Sequence, residues 1–224
     1  MSRTFTASPG PILQLHHARQ VVAILVVRVA TQSAIHLEDL LPATFTSPEL
    51  TDEQFFALCE QFPDATLEHT EDGEIIVIPP TDPKSSVRVT RVTQRLANWA
   101  DQAGRGEVCG PDGGFRLPTR ARRSPDAAWF DGCYPSTKQR FPILAPQFVV
   151  EVRSPDDRIE RLRDKMLRYI AAGVLLAWLI DPFEKTVTIY RPNREPEVLR
   201  SPTSVAGEGP VEGFVLDLSG IIPA

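Results

Sequence analysis

A carboxylate stands inside Phe148-Val149-Val150-Glu151-Val152, a run whose other members are all apolar and which reads as a central strand. Burying a carboxylate is costly unless it is paired or bound to a metal. The fold must therefore cover this strand and also give Glu151 a partner. The next segment offers one. Asp157–Ala172 reads as a helix, with Asp157 and Glu160 spaced as a capping box and Leu162, Met166, Tyr169 and Ile170 as its buried stripe. Lys165 lies on the edge of that stripe and is expected to point toward the sheet.

The remaining elements follow from periodicity and turn chemistry. Ser47–Phe62 reads as a helix capped by Ser47, with Pro48 in its first turn. Leu67–Thr70 and Glu74–Ile78 flank Glu71-Asp72-Gly73 and read as a hairpin. Ser85–Gln102 carries Val89, Val92, Leu96 and Trp99 at helical spacing and ends at Gly104. Short strands are expected near Glu107–Cys109, Phe115–Leu117 and Asp126–Phe130. Leu175–Ile180 and Thr186–Tyr190 are expected to pair as a hairpin, and Glu197–Leu199 and Phe214–Leu218 finish the chain. Helices and strands are mixed without strict alternation. That predicts an α+β or mixed-sheet α/β fold, a central mixed sheet flanked by helices with added hairpins.

Residues 1–37 read as an N-terminal extension and residues 38–224 as the principal domain. Val21–Val29 is apolar except for Arg28 and too short for a bilayer, which takes ~20 residues. It suits an added strand, a short helix, or an extension from an upstream start codon better than a signal peptide. Cys59, Cys109 and Cys133 are far apart and form no CxxC pair, so neither a zinc site nor a disulfide framework is suggested, and a cytoplasmic location fits best.

The net charge of −5 speaks against a surface that coats nucleic acid. The charge is uneven, however. Residues 116–168 hold twelve Lys and Arg against seven Asp and Glu. Arg116, Arg120, Arg122 and Arg123 cluster there in an expected loop, where they suit phosphate contacts; a solvated charged surface is the plainer alternative.

Asp126, directly after Pro125, opens another strand. Asp126, Glu151 and Lys165 can therefore converge at one end of a sheet. Two strand-end carboxylates are oxygen ligands suited to Mg²⁺ or Mn²⁺. A metal there would activate water, and an ammonium would orient it or stabilise charge at phosphorus. The combination suits phosphodiester hydrolysis, although a simple Glu151–Lys165 ion pair satisfies the same spacing. Trp129 and Trp178 read as core before base-stacking platforms. His69, beside Glu68, reads as a hairpin-surface residue before a site residue. Ser124 and Ser154 lack a His partner in any nucleophile motif.

Pro125-Asp126 followed by Glu151 resembles the PD-(D/E)XK signature, with Arg153 where the lysine is usual. Phe148–Asp157, Asp164-Lys165-Met166, Ala171-Ala172-Gly173, Trp178–Pro182, Ile189–Pro192, Gly114–Pro118 and Ser124–Trp129 together resemble the Uma-two family of restriction-endonuclease-like proteins, from about Glu38 to Ile222. The resemblance implies a PD-(D/E)XK core and a metal-dependent endonuclease acting on DNA. Asp126 and Glu151 would bind Mg²⁺ or Mn²⁺, and the strand lysine would be replaced by Lys165 on the following helix. It also implies a carboxylate from the early hairpin. Glu68, expected opposite Val77, is preferred to Glu74, which would sit beside the turn. Arg116, Arg122, Arg123, Arg153 and Arg161 are the candidate substrate contacts, and a homodimer is the expected assembly. A catalytically weak binding module and a structural dimer are the competing readings.

Overall fold

In the computed structural model the described residues are 43–46 (backbone), 50–78, 80–132, 141 and 143–223. The expectations for residues 1–37 and for Cys133 lie outside them.

The centre is a six-stranded sheet built from β4 (Glu107–Cys109), β7 (Ala127–Phe130), β8 (Phe148–Val152), β9 (Leu176–Asp181), β10 (Thr186–Tyr190) and β11 (Glu197–Arg200), in the order β11-β10-β9-β8-β7-β4. β8 and β9 run parallel, joined by helix α3 (Ile159–Ala171), and the other neighbours are antiparallel, so the sheet is mixed. Every residue of β8 and β9 is buried. Burial on both faces explains why these strands read as continuous apolar runs rather than alternating ones.

The two faces hold different cores. Phe148, Val150 and Val152 pack with Val89, Val92, Leu96 and Ala100 of helix α2 (Pro83–Ala103) and with Phe214 and Leu216 from the C-terminal hairpin of β12 (Ser204–Ala206) and β13 (Val215–Asp217). Val149 packs on the other face with Leu162, Met166 and Tyr169 of α3. Side chains alternate across a strand, so Glu151 shares the α3 face with Val149. Ala127 and Trp129 join the α2 core while Ala128 and Phe130 join the α3 core, which puts Asp126 on the α3 face as well.

A second sheet has the order β1-β3-β2-β6-β5, from β1 (Ala43–Thr46), β2 (Thr66–His69), β3 (Glu74–Ile78), β5 (Phe115–Arg116) and β6 (Arg122–Arg123). Helix α1 (Asp52–Cys59) contributes Phe55 to a core with Leu67, Ile75 and Val77.

Local structure departs from the sequence reading at four places. Thr51, not Ser47, caps α1: its side chain accepts from the Gln54 N–H, and the Gln54 side chain accepts from the Thr51 N–H. This reciprocal box satisfies two otherwise orphaned donors. α2 starts two residues early, because Asp82 caps the N–H groups of Lys84 and Ser85 and Pro83 needs no N–H partner. Asp157 does not cap α3. Its Oδ2 accepts from the N–H and hydroxyl of Ser154, both at 2.7 Å, and Arg158 takes the cap position without a side-chain bond. In the β2–β3 hairpin, Thr70 closes the turn with both backbone and hydroxyl against Glu74, so Glu68 pairs with Ile76 rather than Val77.

Candidate functional site

The pairing Ala127↔Val150, continued one step past the start of β7, sets Asp126 against Glu151 on the α3 face. Asp126 Oδ2 accepts the Val152 N–H at 2.7 Å. Lys165 reaches in from α3 and bonds Glu151 Oε1 at 2.8 Å and Glu68 Oε1 at 2.9 Å. The hydroxyl of Tyr169, one helical turn further on, donates to Glu151 Oε1 at 3.0 Å. Glu68 also accepts the Ser124 N–H at 3.0 Å and Arg123 Nη1 at 3.1 Å. Lys165 thus ties the second sheet to the central one. The preferred hairpin carboxylate, Glu68, is inside the cluster, while Glu74 is exposed.

The cluster's charge does not cancel. Three carboxyls face two cations, and Glu68 engages both. Burial pushes the Glu68 carboxyl up, but Lys165, Arg123 and the Ser124 N–H outweigh it and hold it below its ordinary range. Burial likewise disfavours the charged Lys165, but Glu151 and Glu68 overcome it, so the ammonium stays protonated. The surplus falls on the other two groups. Burial lifts Asp126 to about 6, and the Val152 N–H opposes this only in part. Burial also raises Glu151, and repulsion from Asp126 and Glu68 adds to the rise against the pull of Lys165. Asp126 Oδ1 and Glu151 Oε2 have no hydrogen-bond partner among the described residues.

Of the basic loop expected from sequence, Arg116, Arg122 and Arg123 lie in short strands with their charge already matched, while Arg120 is exposed in the turn between them. Arg122 is buried, pairs with Asp52, and stacks 4.9 Å above the Phe55 ring. Arg116 bonds the other Asp52 oxygen at 2.8 Å. Arg123, also buried, is divided between Glu68 and Glu71. Arg168 pairs with Glu71, Asp72 and Asp164. Arg153 pairs with Asp181 at 2.8 Å, and Arg161 is exposed on α3. Trp129 donates to the Arg105 carbonyl and Trp178 stacks on Phe214, so both belong to the core. His69 is buried beside Arg122 rather than on the hairpin surface.

Sequence reasoning missed Arg88. It is buried on the stripe of α2, four residues before Val92. An arginine at a core position of an amphipathic helix is the signal that marked it.

The profile of the family described as "Uma2: Putative restriction endonuclease" matches residues 52–219. The chain belongs to the Uma2 family. Asp126, Glu151, Lys165 and Glu68 all fall inside the matched span of this Uma2 chain. Among solved structures, it is similar to a crystal structure described as a putative nuclease belonging to DUF820 from Anabaena variabilis. The TM-score is 0.64 at 22% identity, covering 77% of this chain and 97% of that one. At that identity the likeness speaks for the fold. None of the curated proteins matches the chain. Among the described residues, no helix is long and apolar enough to cross a membrane.

Proposed function

We propose that this Uma2 chain is a metal-dependent endonuclease that hydrolyses phosphodiester bonds in DNA, with Asp126 and Glu151 as metal ligands and Lys165 as the catalytic cation. The observation that carries the reading is the pairing of a buried carboxylate, Glu151, with a partly buried one, Asp126, on one face, with an ammonium against the first. Family membership supports it.

The residues fit Mg²⁺ or Mn²⁺. Asp126 Oδ1 and Glu151 Oε2 are hard oxygens without a hydrogen-bond partner among the described residues, and their mutual repulsion would be relieved by a dication. No group of three or more His, Cys, Asp and Glu side chains suited to a metal occurs among the described residues. Two carboxylates are nevertheless enough for Mg²⁺, which fills its shell with water and substrate phosphate oxygens. When bound, the ion lowers the pKa of a coordinated water and polarises the phosphoryl oxygen.

The protein's own groups do the rest. Glu151 and Glu68 hold Lys165 in position and keep it protonated, so Lys165 acts as a hydrogen-bond donor to the attacking water or to a phosphoryl oxygen, not as a base. Tyr169 fixes the Glu151 rotamer through Oε1 and leaves Oε2 open. Arg123 serves as a positioning residue through Glu68. Of the arginines, Arg153 and Arg161 remain the candidates for direct phosphate contact.

Purified protein incubated with plasmid and linear DNA should nick or cut both in Mg²⁺ or Mn²⁺ and neither in EDTA. Equal cleavage with and without metal, or none in either, would overturn the reading in favour of a binding module.

A homodimer accompanies this proposal. β11 has no strand on its outer side among the described residues, and Val198 on it is 48% exposed, which leaves an edge for a second copy. Light scattering at micromolar concentration should report about twice 24.9 kDa; a mass near the monomer's would remove the dimer.

A further inference from the structure

Arg88 is only 5% exposed, yet its guanidinium makes no hydrogen bond or ion pair among the described residues. Its charge is felt by Asp82, but that carboxylate is exposed and occupied with capping α2. The guanidinium carbon lies 5.6 Å from the ring centroid of Phe183. A second guanidinium, that of Arg153, lies 5.4 Å from the same ring. Arg153 uses Nη1 on Asp181, and its Nε is buried with no hydrogen-bond partner among the described residues. Phe183 itself is 46% exposed in the turn between β9 and β10.

These three residues stand at the end of the sheet that carries the carboxylates. Arg153 follows Glu151 by two positions, just past β8, and Phe183 lies just past β9. α2 meets the same end, because the Thr93 hydroxyl reaches the Asp126 carbonyl at 3.4 Å and Arg88 lies more than a turn closer to the helix start. A buried cation without a counter-charge is a standing cost to the fold. Arg88, without a counter-charge, and Arg153, with an unused buried Nε, are gathered on one exposed ring and call for an oxyanion. The planar fork of arginine matches phosphate, and the aromatic ring holds the guanidinium planes in place.

We propose that Arg88 and Arg153, held on Phe183, form a clamp for a phosphate of the nucleic-acid strand next to the bond addressed by Asp126 and Glu151. The proposal rests on the nuclease reading for its ligand, but binding can be measured without cleavage. In a Glu151→Gln background, a short fluorescein-labelled DNA duplex is titrated by anisotropy across a range of salt. Arg88→Gln should weaken binding about tenfold and flatten the slope of log K against log salt by about 0.7–0.9, one phosphate contact. Arg88→Lys should keep most of that slope. Arg194→Gln, which removes an equal charge from an exposed turn, should leave it unchanged.

Thermal melting separates a clamp from a packing role. Removing an unmatched buried charge should leave Arg88→Gln at least as stable as its parent, whereas a purely structural arginine would lower the melting point and spare the slope. An unchanged slope in Arg88→Gln overturns the clamp. Should that variant not fold, Phe183→Leu takes its place with the same expected loss and the same overturning result. Loss of binding in Arg88→Gln while the wild-type protein fails to cut DNA would sink the nuclease reading and leave the clamp standing.

Discussion

Lys165→Met lowers the rate of DNA cleavage by about 100- to 10,000-fold at saturating DNA and metal, the range seen when a positioned charged or proton-transferring group is removed. The expectation comes from what Lys165 touches. Its ammonium stands 2.8 Å from Glu151 and 2.9 Å from Glu68, with only 13% of the side chain exposed. No other described lysine or arginine is paired with Glu151. From sequence, Lys165→Ala is expected to spare folding; the structure alters that. Taking one partner from a buried ion pair costs about 3–5 kcal/mol, reduced here because Glu151 can take up a proton. Met keeps the aliphatic stem and limits the cavity, which makes it the better probe. DNA affinity in the variant should change little, since the charge faces carboxylates rather than the strand. Wild-type cleavage by Lys165→Met would transfer the role to Arg153.

The second large effect is thermodynamic. Asp126 and Glu151 are both raised in the folded protein, so the fold retains protons that the unfolded chain has released. Metal-free stability therefore falls as pH rises from the ordinary carboxyl values of 3.8 and 4.5 through the Asp126 value of about 6 and on through that of Glu151. Glu68, held low, acts the other way: its contribution is present above its ordinary value and is lost only in more acidic solution. Mg²⁺ or Mn²⁺ must displace the retained protons, so its affinity should climb across the same window. At a metal concentration of about 100 times Kd the gain is roughly 2.7 kcal/mol, or about 5–10 °C in Tm for a chain of this size. Glu151→Gln should abolish cleavage and this metal-dependent rise, while melting no lower than the wild type without metal. Calorimetry that finds a pH-independent metal response, or the same response in Glu151→Gln, would rule out the two-carboxylate site.

The parts of the site legible in the sequence were those whose environment is local. Glu151 betrayed itself by standing in an apolar strand. Lys165 did so by its place beside Leu162 and Met166 on one helix, and Asp126 by opening a strand directly after Pro125. β8 and β9 were legible because burial on both faces leaves unbroken apolar runs, and α3 because its apolar residues fall on one stripe. The partners of the arginines were not legible, for the opposite reason. Arg116, Arg122 and Arg123 find Asp52 and Glu68, which stand 55 to 70 residues earlier in the chain, and no local pattern announces such partners. Glu68 was placed one residue off because the turn is closed by a side chain, that of Thr70. A cap moved from Asp157 to Arg158 because Ser154 competes for the same carboxylate.

The bridge from Glu68 through Lys165 to Glu151 spans roughly a hundred residues of chain, and contacts of that separation close late in folding. During synthesis the hairpin bearing Glu68 emerges first, then the two strand carboxyls, and the ammonium that joins them last. A product that terminates ahead of α3 carries every acidic member of the cluster and no lysine between them. Such a product would hold the carboxyls without the cation that the proposed reaction needs.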